Sequence, residues 1–284
     1  MIFRDIKRGE LANDGSGSAF FFPWSTTKIA KIMSKEIKNI ESKFRSLGLN
    51  NSKKVSKYIL SEQDLNKQPC LTIPSNVEFE KNIGLQEFVL EFEESDFEKP
   101  NRWTIDNITS NAQIIMPRAS RKTIHIDYNP FWNSKQVYFS TNFVLCINCT
   151  LEIKNLNKEQ ILKFITGYLN SSFAQIMFEI ESQNREGMRK IEVGTLKNKI
   201  FIPGKSLDGN QERIVKIVEK FENLKFNLTG EEEYPSPRFE LDLEIAKLLL
   251  KIEPEFLKIS NSPEELVEKV ENDLIELIRA RKDH

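Results

Sequence analysis

The sequence predicts an α+β fold, with a mixed sheet region, flanking helices and a helical C-terminal part. Three observations lead there. Apolar residues recur at helical period over residues 25–47, 161–180 and 210–228, and again through most of the chain after residue 240. Short apolar or alternating runs, bounded by Gly, Pro, Asn and Ser, crowd residues 69–148. Charge is segregated: residues 1–60 and 107–205 are basic and residues 61–106 and 206–284 acidic, around a net charge of −1.

A chain of 284 residues is long enough for one large or two modest domains. The change of character after Pro203 predicts a division into residues 1–205 and 206–284. With 39% apolar and 29% charged residues, the composition is that of a soluble globular protein. No apolar run approaches the ~20 residues of a membrane span, so no membrane partner is expected. The N-terminal stretch MIFRDIKRGELANDG lacks the apolar core of a signal peptide. Three cysteines in so long a chain argue against a disulfide framework and for a reducing, cytoplasmic setting.

In chain order, a short strand at the N-terminus leads into a loop with Gly9, Gly15 and Gly17 and then Phe20–Phe22. These glycines fit a hairpin connection, because neither a phosphate-loop nor a dinucleotide fingerprint is complete. Residues 25–47 predict a helix. Ser25 or Thr26 caps it, Ile29 to Leu47 form its apolar stripe, and Gly48 ends it. Residues 50–66 read as partly helical. Strands are expected at Cys70–Ile73, Phe88–Phe92 and Trp103–Ile105. The carboxylates Glu93, Glu94, Asp96 and Glu98 are expected in a solvated loop. Further strands are expected at Ala112–Met116, Lys122–Asp127, Val137–Phe139 and Phe143–Ile147.

Next comes a single amphipathic helix with Ile161, Ile165, Tyr168, Leu169, Phe173, Ile176, Met177 and Ile180 on its apolar side. A polar, basic connection, Gln183–Lys190, leads to strand-like runs at Ile191–Val193 and Lys199–Ile202. Helices follow at Asn210–Leu228, Glu240–Lys251 and Pro263–Arg281, with an acidic linker at Gly230–Pro237. Their apolar stripes must bury against the rest of the chain or against a partner subunit.

Tyr168-Leu169-Asn170-Ser171-Ser172, then Gly187-Met188-Arg189-Lys190-Ile191-Glu192-Val193, then Leu196 and Ile200-Phe201-Ile202-Pro203 follow one another in a familiar order. This order resembles the target-recognition region of adenine N-6 DNA methyltransferases of restriction–modification systems, and more loosely the type I specificity subunits. Lys7-Arg8-Gly9 with Phe20–Phe22, Arg118 with Ser140-Thr141-Asn142-Phe143, and Gln211–Val215 are similar to further segments of that family. The N-terminal spacing is longer than the family's, and its threonine before glycine is absent.

The resemblance implies DNA target recognition by residues 1–205, with double-stranded DNA as ligand and a methyltransferase catalytic domain or subunit as partner. S-adenosylmethionine is then the cofactor of that partner and not of this chain, which carries no catalytic residue and no metal. Two basic turns carry the expected DNA contacts: Arg118, Arg121 and Lys122, and Arg185, Arg189 and Lys190. Cations on turns between rigid elements suit phosphates or a guanine edge. Lys7 and Arg8 are weaker candidates.

Asn129-Pro130-Phe131-Trp132 is similar to the catalytic tetrad of amino-methyltransferases, but its second proline is missing and no methyl-donor loop precedes it. It reads as a turn with aromatic anchors; otherwise the chain would be a reduced stand-alone methyltransferase. Cys146-x-x-Cys149 lacks two further ligands and reads as inert thiols. His125, one of two histidines, sits in an alternating run and reads as structural or base-contacting rather than as a general base. The rival to DNA recognition is a protein–protein scaffold whose basic blocks are incidental.

Overall fold

A computed structural model of the chain describes residues 2–10, 40–50, 55, 57–66, 70–94, 109–121, 123–185, 188–204, 207–224 and 235–282. Its centre is an antiparallel sheet built around one apolar strand. Strand β1 (Phe3–Arg8) pairs with β8 (Phe143–Cys149), β8 pairs with β4 (Ile114–Pro117), and β4 pairs with β6 (Asp127–Tyr128). The β8 run FVLCINC is apolar almost throughout because both of its faces are covered. Val144 and Cys146 point into one core cluster, while Phe143, Leu145 and Ile147 point into a second.

The second cluster is closed by a small mixed sheet of β3 (Cys70–Leu71), β2 (Arg45–Leu49) and β7 (Val137–Phe139), in which β2 and β7 run parallel. Helix α1 (Glu62–Asn66) contributes Leu65 to the same cluster. Helix α2 (Ile83–Glu94) follows. Within it Phe88–Phe92, expected as a strand, is helical and buries Leu85 and Phe88, which lie three residues apart. Glu93 and Glu94 belong to that helix rather than to a loop. Asp96, Glu98 and the Trp103–Ile105 run lie outside the described residues, as do residues 25–39 of the expected first helix. Arg45–Leu47, expected at that helix's end, is strand.

The other face of the central sheet is covered by helices. Helix α3 (Lys158–Asn170) starts with a full capping box: Asn157 accepts from the Gln160 N–H at 2.9 Å, and the Asn157 N–H donates to the Gln160 side chain at 3.0 Å. The expected single helix breaks at Ser171, whose backbone is extended, and restarts as α4 (Ser172–Glu181). The break shifts the apolar phase, so Ala174 and Phe178 are buried and Ile180 is exposed.

The basic connection is a hairpin of β9 (Gln183–Arg185) and β10 (Met188–Lys190). Of the strand expected at Ile191–Val193, Ile191 and Glu192 lie in no regular element and Val193 opens helix α5 (Val193–Asn198), while Lys199–Ile202 has no strand partner among the described residues. Instead Ile200 and Ile202 pack on the helical core.

The C-terminal helices α6 (Gln211–Glu222), α7 (Phe239–Ile252) and α8 (Pro263–Lys282) bury their stripes in the same cluster. Helix α6 comes very close to α3: a Cβ on Gly167 would stand 3.0 Å from the Phe221 Cβ. No described helix is long and apolar enough to cross a membrane.

Candidate nucleic-acid interface

The two basic turns of the sequence are neighbours in space. Strand β5 (Ala119–Ser120) pairs antiparallel with β10, so that Lys190 lies opposite Ala119 and Arg189 opposite Ser120; β10 pairs in turn with β9. The Ile191 N–H donates to the Arg118 carbonyl at 2.8 Å and extends this junction. Residues 118–121, 183–185 and 188–190 therefore form one three-stranded unit.

That unit sits at one end of the central sheet. Arg8 is in register with Val144, and Pro117 with Phe143, on the two sides of β8. The Arg8 Nε–H donates to the Thr141 carbonyl at 2.9 Å, and the Arg118 N–H donates to the neighbouring Asn142 carbonyl at 2.8 Å. The Ser140–Asn142 turn thus spaces Arg8 from Arg118, about two strand separations or ~10 Å apart. Gly9 makes this close approach possible, since a Cβ there would fall 2.1 Å from the Ser140 carbonyl oxygen.

The eight expected cations have different fates. Arg8 and Arg121 are exposed. Lys7 is half-buried and pairs with Glu10 at 2.7 Å. Arg118 and Lys190 are partly exposed and converge on Glu192. The backbone of Arg185 lies in β9 opposite Met188. Lys122 and the central Gly187 of the hairpin lie outside the described residues.

Arg189 departs from the expectation. Its side chain is 1% exposed and its Nε stands 3.1 Å from Glu179 of α4, so in this structure it presents no charge to a ligand. The other Glu179 oxygen stands 3.2 Å from Nε of Arg281, on α8. Arg281 also donates to the carbonyls of Ser120, at 3.4 Å, and Arg121, at 3.2 Å. Helix α4, the hairpin, the β5 turn and the last helix are tied together by these three buried charges.

The Leu169-Asn170-Ser171-Ser172 motif also has a legible job. Residues 124–126, expected within a strand, belong to no described strand and are held by side chains. The Ile126 N–H donates to Asn170 Oδ1 at 3.1 Å, and Asn170 Nδ2 donates back to the Ile126 carbonyl at 2.7 Å. Gln175 repeats the exchange with Ile124 at 2.8 and 2.9 Å. Both carboxamides are buried, and they stand where a neighbouring strand would. This pins the segment directly after the basic turn. Gln175 and Glu179 carried no signal of this in the sequence, since each is one polar residue on a helix whose phase changes at Ser171.

The remaining motifs are absorbed by the fold. Asn129 is buried, with Nδ2 donating to the Ala112 carbonyl at 2.8 Å and Oδ1 accepting from the Phe131 N–H at 3.0 Å. Its amide is committed to the turn and is not offered to a base, while Phe131 and Trp132 pack against the two cores. Cys146 and Cys149 are buried free thiols. Burial pushes the Cys146 thiol up to about 12. His125 stacks on Tyr58 with centroids 4.4 Å apart and meets buried Asp127 at 2.5 Å. Burial raises the Asp127 carboxyl, and the adjacent imidazole opposes that shift. No three described His, Cys, Asp or Glu side chains group as a metal site. A cleft of about 590 Å³ lies at the far end of β1 and β8, lined by Ile2, Phe3, Thr150, Leu196 and Phe201, and none of the expected cations whose side chains are described borders it.

Residues 7–228 match the family described as the specificity domain of the restriction endonuclease BpuSI. No curated protein matches. Among solved structures, the chain is similar to the type IIG restriction endonuclease BpuSI with a TM-score of 0.67 at 17% identity, over 98% of this chain and 30% of that one. At that identity the likeness is one of fold, and this chain spans 30% of the length of the BpuSI chain.

Proposed function

Because this chain belongs to the family of the BpuSI restriction endonuclease specificity domain, we propose that it recognises a DNA target sequence on behalf of a restriction–modification enzyme. The observation that carries the reading is the merger of two basic segments, far apart in sequence, into one unit beside Arg8 at the end of the central sheet. Arg8 and Arg121 are exposed cations of that edge, and Arg118 and Lys190 are partly exposed beside them in the chain and the sheet. Cations carried on strands and tight turns have fixed directions, which base reading requires and which simple charge attraction does not.

The catalytic partner is an adenine N-6 methyltransferase domain that uses S-adenosylmethionine, in a protein of type IIG organisation. The methyl donor belongs to that partner, and no step of methyl transfer is assigned to the residues of this chain.

Selection from a pool of random duplex DNA, at low and then physiological salt, tests the reading. The native chain is expected to enrich a short site. A charge-reversed variant at Arg118, Arg121 and Lys190 is expected to lose that enrichment and to show a shallower salt slope, by about one for the phosphate contact of exposed Arg121. No binding at low salt, or equal enrichment by the variant, overturns it and favours a protein-binding scaffold.

A further inference from the structure

We propose that Glu192 determines specificity by withholding Arg118 and Lys190 from the phosphate backbone, so that this edge discriminates among duplexes instead of holding any of them. The inference rests on the reading of the edge as a DNA surface.

A single carboxylate oxygen, Oε1, stands 3.1 Å from Arg118 Nη2 and 3.0 Å from Lys190 Nζ. The two cations come from segments joined by the β5–β10 pairing and the Ile191–Arg118 backbone bond, so the carboxylate sits at the seam of the recognition unit. Its position is fixed on both sides. The preceding Ile191 N–H is bonded to the Arg118 carbonyl, and the Glu192 carbonyl accepts the first bonds of α5, from Thr195 N at 3.0 Å and Leu196 N at 3.3 Å. The Glu192 side chain is 40% exposed, against 17% for Arg118 and 30% for Lys190, so the carboxylate faces whatever approaches the two cations. Burial alone would push the Glu192 carboxyl up; Lys190 and Arg118 outweigh it and hold the group below the usual carboxylate range, ionised.

The consequence follows from charge. Non-specific affinity comes from cations that neutralise phosphates. Here two cations already share an anion that is part of the protein. A phosphate must displace that carboxylate, and is repelled by it. A base edge brings no such charge, and an exocyclic amino group can donate to the carboxylate. Glu192 therefore penalises backbone-only binding more than base-directed binding.

The test is the affinity of the native chain and of Glu192→Gln for random-sequence duplex across a salt series, with thermal melts of both. The glutamine variant is expected to bind random duplex about 5-fold more tightly at ~0.15 M salt, with a slope steeper by about one to two, as for one or two added phosphate contacts. A melting temperature like that of the native chain excludes a gain from unfolding, which would expose the buried charge of Arg189. Adding both Arg118→Gln and Lys190→Gln is expected to cancel the gain, which assigns it to the released cations. Unchanged or weaker random-duplex binding by a variant that melts like the native chain overturns the proposal. Failure of the native chain to bind any duplex overturns the DNA reading itself, and this proposal with it.

Discussion

Asn170 and Gln175 are single residues that do the work of a strand. Each carboxamide serves both the N–H and the C=O of one residue in a segment that belongs to no described strand; Asn170 also donates to the Thr166 carbonyl and Gln175 to the Leu169 carbonyl, each at 2.9 Å. The segment is buried between Ile124 and Ile126, so its backbone groups have no water to fall back on. Gln175→Leu preserves the side-chain size and removes the exchange. It is expected to cost about 2–6 kcal/mol in urea unfolding, at ~1–3 kcal/mol for each of the two Ile124 backbone groups stranded in the interior. A loss of only a few tenths of a kcal/mol would show that the segment repacks, and that the amides decorate it rather than hold it. None of this was legible beforehand. The sequence showed Asn170 within a motif, but an amide's partners forty to fifty residues away leave no local trace.

Elements were legible in proportion to their own periodicity. Helices α6, α7 and α8 and strand β8 carry patterns that burial alone enforces, and they stand where the pattern put them. Phe88–Phe92 misled because a five-residue apolar run fits a strand and a buried helix equally well. The α3–α4 break was missed because Ser171 continues the motif in sequence while its side chain caps a new helix, accepting from the Ala174 N–H at 3.4 Å. That restart meets a buried acid on α7: the Ser172 N–H donates to Asp242 Oδ1 at 3.0 Å. Burial raises the Asp242 carboxyl to about 7; Arg238 and the Ser172 bond oppose the rise and Glu271 adds to it. A carboxyl whose folded pKa lies above its unfolded value of ~3.9 stabilises fully below about pH 4, and that stability drains as pH rises through about 7. Asp242→Asn keeps the Ser172 acceptor without the charge. The native melting temperature is expected to fall between pH 5 and pH 8 by more than that of the variant, and the variant should be the more stable of the two at pH 8. Parallel curves for the two proteins would remove Asp242 from the account.

Across the whole molecule, the recognition edge is tied to the end of the chain. Arg281 is on the last turn of α8, yet it pairs with Glu179 on α4 and donates to the carbonyls of the basic turn. Glu179 in turn pairs with Arg189 of the hairpin. A loop rich in cations would otherwise splay by mutual repulsion; here one buried carboxylate and one long-range guanidinium fix its backbone. The sequence could not reveal this, because Arg281 reads as one of several cations on a solvated helix end and Arg189 as a surface contact. The division at residue 205 remains a proposal about organisation, and Arg281 bears on it, since a helix from the second part holds a turn of the first. Arg281→Lys keeps the charge beside Glu179 but loses the fork that reaches two carbonyls at once. It is expected to melt cooperatively, a few degrees below the native chain, and to lose about 10-fold in affinity for the selected site, or ~1.4 kcal/mol. Its random-duplex affinity should change little, because the exposed charges of Arg8 and Arg121 are untouched. A variant that loses stability but keeps the full ratio of specific to random binding would mean that α8 supports the core without aiming the turn.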